Sequence, residues 1–357
     1  MTETIRLATR GSDLALRQAR RVADALESRR RDVELVEVET TGDAIRDELI
    51  HRLGKTGAFV RSLDEKILDG EVNAAVHSMK DMPTEFPSEL IVAGVPERAA
   101  PGDVLVTPDG TELSSLPEGA TVGTSSLRRK AQLLADRPDL DVRPLRGNVD
   151  TRVEKLVAPS LQAEHERRLD AEERDEEDEE DGPTYDRSPD EWFDDLAEFE
   201  RRALGREPDT EFDAIVLAEA GLERIGLLEA VEYHRLPKTF VSAPGQGALA
   251  VTARDDETAA TIQQLLDHPR TRVETTAERT VLGTLGGGCV APVGIYAIVQ
   301  GQYVRTTVRV LSQDGTEEIE ATRELPVETH PEAARKFAED LAEKGASELI
   351  QQARREE

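Results

Sequence analysis

The fold class follows from residues 5–38, whose sequence is IRLATRGSDLALRQARRVADALESRRRDVELVEV. Ile5-Arg6-Leu7-Ala8 predicts a short buried strand, and the valine-rich stretch Val33 to Val38 predicts a second one. Between them, Asp13 to Arg30 carries small and apolar residues at the spacing of a helix. The segment is therefore predicted to be a βαβ unit, which places two parallel strands in one sheet.

The turn from the first predicted strand into the first helix is Thr9-Arg10-Gly11-Ser12. Ser12 has the side chain of a good helix N-cap, so the turn presents free backbone amides and the positive end of the helix dipole. Arg10 adds a full positive charge at the same point. We expect an anion-binding site here.

Strands and helices continue to alternate after this unit. Ala74 to His77 is predicted as a strand that runs into Ser78-Met79-Lys80-Asp81-Met82-Pro83, and the apolar run Ala214 to Ala218 is typical of a strand buried on both faces. The other predicted elements are strands at Ala120 to Gly123 and Val142 to Leu145 and helices at Ser126 to Asp136 and Asn148 to Leu156. This alternation predicts an α/β fold with parallel sheets and with ligands at the strand ends.

The segment from about Pro159 to Pro208 breaks the alternation. From Leu161 to Gly182 it contains 12 acidic and 3 basic residues, which is too much charge for a core of its own. We interpret it as a largely exposed acidic insertion that is partly helical from Trp192 to Leu204. A partner-binding segment is the alternative.

The last third of the chain predicts a small α+β domain. Ile295 to Ile298, Tyr303 to Leu311 and Glu317 to Leu325 alternate as antiparallel strands, and Pro331 to Gln352 has the apolar spacing of a helix. With 357 residues, the chain is long enough for three domains.

The charge balance restricts the possible partners. Acidic residues outnumber basic ones by 74 to 45, the formal net charge is −29, and only 8 residues are lysine. Such a surface repels nucleic acid and anionic membranes. It also suits molar salt, where screening suppresses self-repulsion, so we expect a halophilic source. Because no stretch of about 18 apolar residues occurs, we expect a soluble cytoplasmic protein. We also expect a monomer.

Basic residues concentrate at the predicted strand-to-helix turns. Gly123-Thr124-Ser125-Ser126-Leu127-Arg128-Arg129 combines hydroxyls, helix-start amides and two arginines, and Leu145-Arg146-Gly147-Asn148 repeats the pattern one unit later. Arginine binds carboxylates through two parallel hydrogen bonds, so several arginines in one cleft would hold a ligand with many carboxylates. For any single arginine, a surface ion pair is the alternative. Nucleotide phosphate is disfavoured, because neither a Walker lysine motif nor a GxGxxG turn is present.

Asp81 is the one carboxylate embedded among these cations, beside Lys80 and just after His77-Ser78. A carboxylate in this setting can stabilise a developing positive charge or transfer a proton. A turn or helix-capping role is the alternative. The six histidines show no metal-ligand spacing, so no metal site is expected.

Cys289 is the only cysteine of the chain and follows Gly286-Gly287-Gly288. It has no intramolecular disulfide partner, and the glycines permit positive φ values and the approach of a bulky group. Together with the arginines, this suggests a covalently tethered polyanionic group. A buried structural cysteine in a turn is the alternative.

Six motifs occur in order along the chain: Leu7-Ala8-Thr9-Arg10-Gly11-Ser12, His77-Ser78-Met79-Lys80-Asp81-Met82-Pro83, Gly123-Thr124-Ser125-Ser126-Leu127-Arg128-Arg129, Leu145-Arg146-Gly147-Asn148, Gly245-Gln246-Gly247-Ala248 and Gly287-Gly288-Cys289. Together they resemble the porphobilinogen deaminases, or hydroxymethylbilane synthases. The resemblance extends from Ile5 to the carboxyl terminus and is interrupted only by the acidic insertion. It implies a transferase that condenses four porphobilinogen molecules head to tail with loss of ammonia, and then releases hydroxymethylbilane by hydrolysis, in tetrapyrrole biosynthesis.

The resemblance also implies a three-domain fold. Two α/β domains like those of periplasmic binding proteins would enclose the active cleft and close over the product, and a small α+β domain would carry the cysteine loop. The implied limits are residues 1–98 with 246–266 for the first domain, 99–245 for the second and 270–357 for the third.

Residue roles follow from the same resemblance. The family's dipyrromethane cofactor, a primer made from substrate, would be attached to Cys289 through a thioether. Its carboxylates would be held by Lys80, Ser126, Arg128, Arg129 and Arg152, while Arg10, Ser12, Arg146 and Arg224 would contact substrate or the growing chain. Asp81, beside the cofactor, would be catalytic, because loss of ammonia leaves an azafulvenium cation that a nearby carboxylate stabilises through the transition state.

One loop departs from the family pattern. Members often carry a lysine directly before the glycine of a Gly-x-Phe-Val segment, whereas here Thr56 precedes Gly57-Ala58-Phe59-Val60 and Lys55 lies one position earlier. Either Lys55 or Thr56 could therefore meet substrate there.

Two other function classes remain open to the sequence. A non-catalytic cytoplasmic polycarboxylate-binding protein could use the same cleft, although it leaves Cys289 and Asp81 without a purpose. A thiol hydrolase is the other class, and no histidine is placed to be recognised as its base.

Overall fold

A computed structural model describes residues 3–38, 58–84, 87–176, 184–207, 209–287 and 291–355. Cys289, Lys55 and Thr56 lie outside these ranges. The predictions that concern these three residues therefore stay predictions.

Thirteen strands are assigned in the described ranges: β1 (Glu3–Arg10), β2 (Arg31–Val38), β3 (Ala74–Ser78), β4 (Leu90–Gly94), β5 (Asp103–Val106), β6 (Thr121–Gly123), β7 (Asp141–Arg143), β8 (Ala214–Ala218), β9 (Tyr233–Arg235), β10 (Leu249–Arg254), β11 (Val293–Gln300), β12 (Tyr303–Leu311) and β13 (Glu318–Pro326). The α-helices are α1 (Asp13–Leu26), α2 (Ala58–Leu68), α3 (Leu127–Asp136), α4 (Val149–Glu176), α5 (Pro189–Asp195), α6 (Glu198–Leu204), α7 (Glu219–Ile225), α8 (Glu257–Leu266), α9 (Pro269–Thr284), α10 (His330–Ala342) and α11 (Ala346–Arg355).

Two five-stranded sheets have the same arrangement. Their strand orders are β2-β1-β3-β10-β4 and β7-β6-β8-β5-β9. In each sheet four strands are parallel, and the strand in the fourth position is antiparallel to both of its neighbours. The predicted α/β class is confirmed, and the predicted parallel sheets each contain one antiparallel strand that the sequence did not indicate. The antiparallel strands are β5 and β10, and each is the first strand that the chain forms after it crosses from the other sheet.

The first βαβ unit forms as predicted, except at the end of its helix. Ser12 caps α1 by accepting a hydrogen bond from the Ala15 amide. The helix ends at Leu26 rather than at Arg30, because Glu27 is already extended and Ser28 forms an isolated bridge with Arg31. The chain must turn here so that β2 can pair with β1.

The helix predicted from Asn148 to Leu156 is longer than expected, because α4 continues through Pro159 into the acidic insertion and ends at Glu176. Proline removes one backbone donor, but tertiary contacts compensate for that loss. The returning helix α6 packs along α4 and buries Phe199 and Ala203, and the Gln162 amide donates to the carbonyls of Leu204 and Arg206. In place of one helix from Trp192 to Leu204, α5 and α6 meet at the extended Leu196.

The third unit is the antiparallel sheet β11-β12-β13 with α9, α10 and α11. Phe337, Leu341 and Val308 lie in its core. The predicted helix from Pro331 to Gln352 is divided in two, because Gly345 has a φ of +100°. Among the helices that can be described, none has the length and apolar character needed to cross a bilayer.

Two crossing segments, residues 95–102 and 236–248, connect the two large sheets and lie against each other. The Ala99 amide donates to the Gly247 carbonyl at 3.1 Å, and the Gln246 side chain donates to the Pro101 carbonyl at 2.7 Å. Gly247 has a φ of +82°, and a Cβ atom there would lie 2.5 Å from the Ala99 carbonyl oxygen. Glycine is required at this position because the two backbones approach so closely.

Candidate active site

The predicted site residues lie at the carboxyl ends of parallel strands in both large sheets. In the first sheet, β1 leads to Arg10 and Ser12, and β3 leads to Lys80 and Asp81. In the second sheet the corresponding residues are Ser126, Arg128, Arg129, Arg146 and Arg152, and Arg224 lies on α7 after β8. The first unit is the part of the chain built on the sheet β2-β1-β3-β10-β4, and the second unit is the part built on the sheet β7-β6-β8-β5-β9. Helix α1 of the first unit contacts α7 of the second, so the two edges face each other. The structure thus brings residues from both units to one cleft.

Asp81 lies on a short 3₁₀ turn, Met79–Asp81, directly after β3. Met79 and Met82 are buried on either side of it, and the Met79 amide donates to the Ala248 carbonyl at 3.0 Å. The Asp81 side chain is exposed. Two buried apolar anchors therefore hold the backbone of the turn while its carboxylate remains accessible.

Lys80 experiences charges from both units. The Asp81 carboxylate raises the pKa of Lys80, but burial and the positive charges of Arg129 and Arg152 outweigh it, so the Lys80 pKa lies below its usual value. Arg129 and Arg152 belong to the second unit, whereas Lys80 and Asp81 belong to the first. The cations predicted to bind one ligand therefore share one electrostatic environment.

Burial lowers the pKa of Arg152 to about 10, with a further contribution from the charge of Arg129 and an opposing one from Asp81. The Arg152 Nε donates to the Gly147 carbonyl at 2.8 Å. Gly147 has a φ of +113°, and a Cβ atom there would lie 2.6 Å from the Thr151 methyl group. The Leu145-Arg146-Gly147-Asn148 motif thus needs its glycine in order to place α4 and Arg152.

Arg128 and Arg129 are buried against Asp103, a partner that the sequence did not indicate. Nitrogen-to-oxygen distances of 2.7 and 2.8 Å join the two guanidinium groups to the two oxygens of Asp103. Each arginine also donates to a carbonyl, Arg128 to Val241 and Arg129 to Val216. Burial alone would raise the pKa of Asp103, but the two arginines and Gln246 lower it to about 2. One carboxylate against two guanidinium groups leaves a net positive charge.

Arg224 reaches the crossing segments from α7. One of its terminal nitrogens donates to the Gly247 carbonyl at 2.6 Å, while its Nε is buried without a hydrogen-bond partner in the described part of the chain. Burial, together with the positive charge of Arg21 on α1 and against the effect of Glu223, lowers the pKa of Arg224 to about 10. Arg21 is an exposed cation on the opposite side of the cleft that the sequence did not single out.

The two predicted serines have local contacts. Ser12 and Ser126 are N-caps of α1 and α3, and the Ser126 hydroxyl accepts from the Arg129 amide at 3.4 Å. Arg10 and Arg146 are half-buried. Neither serine can be assigned a ligand from these contacts, so their binding roles stay predictions.

A buried ion pair joins the cleft to the third unit, and the sequence missed it. Glu278 on α9 is 0% exposed, and Arg98 on the first crossing segment binds it, with Nη1 to Oε1 at 2.7 Å. The same carboxylate accepts from the Gly245 amide at 2.6 Å and from the Ala297 amide at 2.8 Å. Burial raises the pKa of Glu278 although Arg98 and the amides oppose the shift.

His77, from the same motif as Asp81, points away from the cleft. Its Nε2 is 2.9 Å from the Thr252 hydroxyl, which donates to Asp64 on α2 at 2.9 Å. All three residues are buried. This network joins β3, β10 and α2 behind the cleft, so His77 does not share the position of Lys80 and Asp81.

The donor set fits a ligand with several carboxylates. Lys80, Arg152 and Arg224 are half-buried and have lowered pKa values, because reduced contact with water and nearby cations disfavour their charged forms, and a bound carboxylate would offset that cost. The described residues include no group of three or more His, Cys, Asp or Glu side chains that could hold a metal ion.

Two family models match the chain. The model described as porphobilinogen deaminase, dipyromethane cofactor binding domain, matches residues 5–164 and 201–262. The model described as porphobilinogen deaminase, C-terminal domain, matches residues 273–346. The unmatched residues 165–200 fall within the acidic insertion, which is therefore an addition to the family pattern.

Curated relatives agree over nearly the whole length. The chain is 54% identical to a protein named probable porphobilinogen deaminase from Halobacterium salinarum, and the alignment covers 99% of both chains. It is 37% identical to a protein of the same name from Methanococcoides burtonii, over 97% of this chain and 96% of that one. It is 38% identical to the porphobilinogen deaminase from Desulforudis audaxviator, over 99% of both. A solved structure, YhfZ from Shigella flexneri, has a TM-score of 0.31 at 12% identity and covers 79% of this chain and 90% of that one.

Proposed function

The chain belongs to the porphobilinogen deaminase family, and on this premise we propose that Asp81 is its catalytic carboxylate. The enzyme is a transferase of tetrapyrrole biosynthesis that makes hydroxymethylbilane from porphobilinogen, with a dipyrromethane cofactor. Its acidic composition and its similarity to the Halobacterium salinarum protein indicate a halophilic source. What remains to be proposed is which residues perform the reaction.

One observation supports Asp81 above all others. It is an exposed carboxylate on a turn that two buried methionines anchor. Its negative charge opposes the lowering of the pKa values of Lys80 and Arg152, which lie on the two sides of the cleft. Loss of ammonia from porphobilinogen leaves a positive charge on the pyrrole. A carboxylate fixed nearby stabilises that charge, and preorganised electrostatic groups of this kind contribute about 10²- to 10³-fold to turnover.

Lys80, Ser126, Arg128, Arg129 and Arg152 would hold the carboxylates of the cofactor, with Asp81 beside it. Lys80 and Arg152 contribute positive charge from the two sides of the cleft, and the pKa values of both lie below their usual values. Arg128 and Arg129 are already paired with Asp103, so they would contribute their excess charge and the helix start that Ser126 caps. When bound, the cofactor supplies a free pyrrole position as the acceptor for the next unit.

Cys289 would tether the cofactor through a thioether. The support is that Cys289 is the only thiol of the chain and lies in a glycine run of the family motif. The described chain on both sides is fixed, since α9 leads into the run and the Ala291 and Val293 side chains beyond it are buried.

Arg10, Ser12, Arg146 and Arg224 would bind the incoming substrate or the growing chain. Arg10 and Ser12 lie at the end of β1, Arg146 follows β7, and Arg224 lies on α7, all at the edge of the same cleft. Arg224 has the strongest support, because its Nε is buried without a described hydrogen-bond partner and its pKa is lowered. An anionic ligand would supply the missing acceptor.

The three sheets support domain limits of 1–98 with 246–266, 99–245 and 270–357, since β10 and α8 return to the first sheet. The cleft would then lie between the first two domains. We further propose a cytoplasmic monomer that binds no nucleic acid. The net charge of −29 supports both the exclusion of nucleic acid and a salt-rich cell interior.

The test is the intact mass of the denatured protein, purified in high salt, with Cys289→Ser as the control variant. Wild type is expected to carry the mass of two linked pyrrole units, and Cys289→Ser is expected to lack it and to be inactive although folded. An unmodified wild type that also fails to incorporate porphobilinogen would refute the tether. Turnover by Cys289→Ser at the wild-type rate would refute it as well.

A further inference from the structure

Arg279 on α9 binds the turn that carries Asp81. Its Nη1 donates to the carbonyls of Met79 and Met82 at 3.5 and 3.3 Å, and its Nη2 donates to the carbonyl of Pro83. These three carbonyls surround Lys80 and Asp81 in the chain. A single guanidinium from the third unit thus holds both ends of a turn in the first unit.

Helix α9 is itself held firmly at this point. The neighbouring Glu278 is fully buried and is bound by Arg98, by the Gly245 amide and by the Ala297 amide. Gly245 in turn lies against the catalytic turn, because a Cβ atom there would be 2.9 Å from the Met79 side chain. The backbone of α9 at Arg279 is therefore fixed in position relative to the turn that Arg279 binds.

In the described part of the chain, few other hydrogen bonds hold the turn on the side of Asp81. The Met79 amide binds Ala248, but the Asp81 side chain is exposed and the 3₁₀ segment is only three residues long. A turn of this length has weak hydrogen bonds of its own. Contacts from Arg279 are therefore what can fix the direction of the carboxylate.

We propose that Arg279 is a positioning residue for Asp81 and that it couples the turn to the helix leading to Cys289. The proposal rests on the proposed catalytic role of Asp81. Arg279 does not touch the reacting atoms. It keeps the turn in the geometry in which the carboxylate faces the developing positive charge. A displacement of about 1 Å in such a group can cost about 10²-fold in rate.

The test compares Arg279→Gln and Arg279→Lys with Arg272→Gln. Arg272 is a matched control, because it lies on the same helix and donates to the carbonyls of Val92 and Ala93 in the first unit, away from the turn. We expect Arg279→Gln to lower kcat about 10- to 100-fold with KM within about 2-fold and with the cofactor mass retained. Arg279→Lys should recover part of kcat, and Arg272→Gln should keep kcat within about 2-fold.

A double-mutant cycle separates positioning from general stability. Arg279→Gln in an Asp81→Asn background should cause little further loss, because the carboxylate that it positions is already gone. Wild-type kcat for Arg279→Gln would overturn the proposal, and so would equal losses for Arg272→Gln or additive losses in the cycle. If instead Asp81→Asn alone keeps normal turnover, the proposed catalytic role fails, and the Arg279 proposal fails with it for a different and visible reason.

Discussion

The two large sheets share one strand order, yet the acid that follows the third strand has a different environment in each. In the first sheet, Asp81 follows β3 and is exposed. In the second sheet, Glu219 follows β8, is buried, and binds Arg235 through both carboxylate oxygens at 2.6 to 3.0 Å. The same topological position thus holds a structural carboxylate in one sheet and a candidate catalytic one in the other. Burial and partners, not topology, distinguish the two.

The antiparallel strands differ as well. In the second sheet, β5 begins with Asp103, which binds Arg128 and Arg129. In the first sheet, the equivalent strand β10 begins with the apolar Leu249. The second unit therefore neutralises part of its own positive charge inside the fold. The first unit leaves Lys80 and Asp81 at the cleft.

The largest expected effect comes from removing the buried acid of the second sheet. Asp103→Ala should lower the free energy of unfolding by about 3–5 kcal/mol, because it leaves two buried arginines without their counterion. Chemical denaturation in constant high salt would measure the loss. Asp141→Ala is a suitable control, since Asp141 pairs with Arg143 at an exposed site where ion pairs contribute about 0–1 kcal/mol.

Acid titration tests the same carboxylate independently. Its pKa is about 2 in the folded protein against 3.8 for the free group, so its stabilisation is present above about pH 3.8 and is lost as the pH falls toward 2. The difference corresponds to about 2 kcal/mol. The gap in stability between wild type and Asp103→Ala should therefore narrow over this interval. A gap that stays constant with pH would contradict the lowered pKa of Asp103.

The next effect concerns the exposed acid of the first sheet. Asp81→Asn should reduce kcat about 10²- to 10³-fold without a measurable change in Tm, since the side chain is exposed and its removal leaves no buried group unpaired. Glu219→Gln should show the opposite pattern, with a lower Tm and nearly normal kcat. Steady-state kinetics and thermal unfolding on both variants would decide. Similar kinetic losses in the two would mean that the comparison between the sheets is wrong.

A smaller effect is expected at the contact of α1 with α7. Arg224→Gln should raise KM for porphobilinogen about 10-fold, because the substitution removes about one charge-assisted hydrogen bond to the substrate. The cofactor mass should be unchanged. Arg305→Gln offers a control, because Arg305 is an exposed arginine on β12, in the third unit. Unchanged KM for Arg224→Gln would remove Arg224 from the substrate site.

The sequence predicted best what depends on local pattern. Helix α3 begins after its N-cap Ser126 and ends at Asp136 as predicted, and β12 has the predicted bounds Tyr303–Leu311. The sequence did not predict that α4 passes Pro159, because the compensating contacts come from α6, which lies far along the chain. Short strands such as β5 and β9 were missed, because four or three residues are too few to show a period.

For the site, the sequence indicated which residues carry charge but not how each charge is neutralised. Arg128 and Arg129 were recognised from their motif, whereas Asp103 lies elsewhere in the chain and has no distinguishing neighbours. The same applies to Arg279, whose contacts to Met82 and Pro83 cross from one unit to another. Pairings of this kind depend on tertiary structure and have no period or spacing in the sequence.

The smallest effect is expected from the insertion, which only the second unit carries. Trp192 stacks on His165 with ring centroids 5.8 Å apart, and Arg168 lies over both Trp192 and Tyr185. Trp192→Ala should cost about 1–2 kcal/mol, from the loss of one ring stack and one cation–π contact, and lower Tm by about 2–4 °C. Phe193→Ala is the control, since Phe193 is 39% exposed and should be nearly neutral.

Turnover should be unaffected by Trp192→Ala. Along α4, His165 is about 20 Å from Arg152, because each residue of a helix adds about 1.5 Å. Glu154 holds the cleft end of α4 through Arg202 and Arg206, so a loosened far end should not displace the cleft residues. We therefore expect kcat and KM within about 2-fold of wild type, since substitutions away from a site rarely disturb it. A fall in kcat with the cofactor still attached would instead place the insertion in the catalytic cycle, and the difference between the two units would then extend beyond their charges.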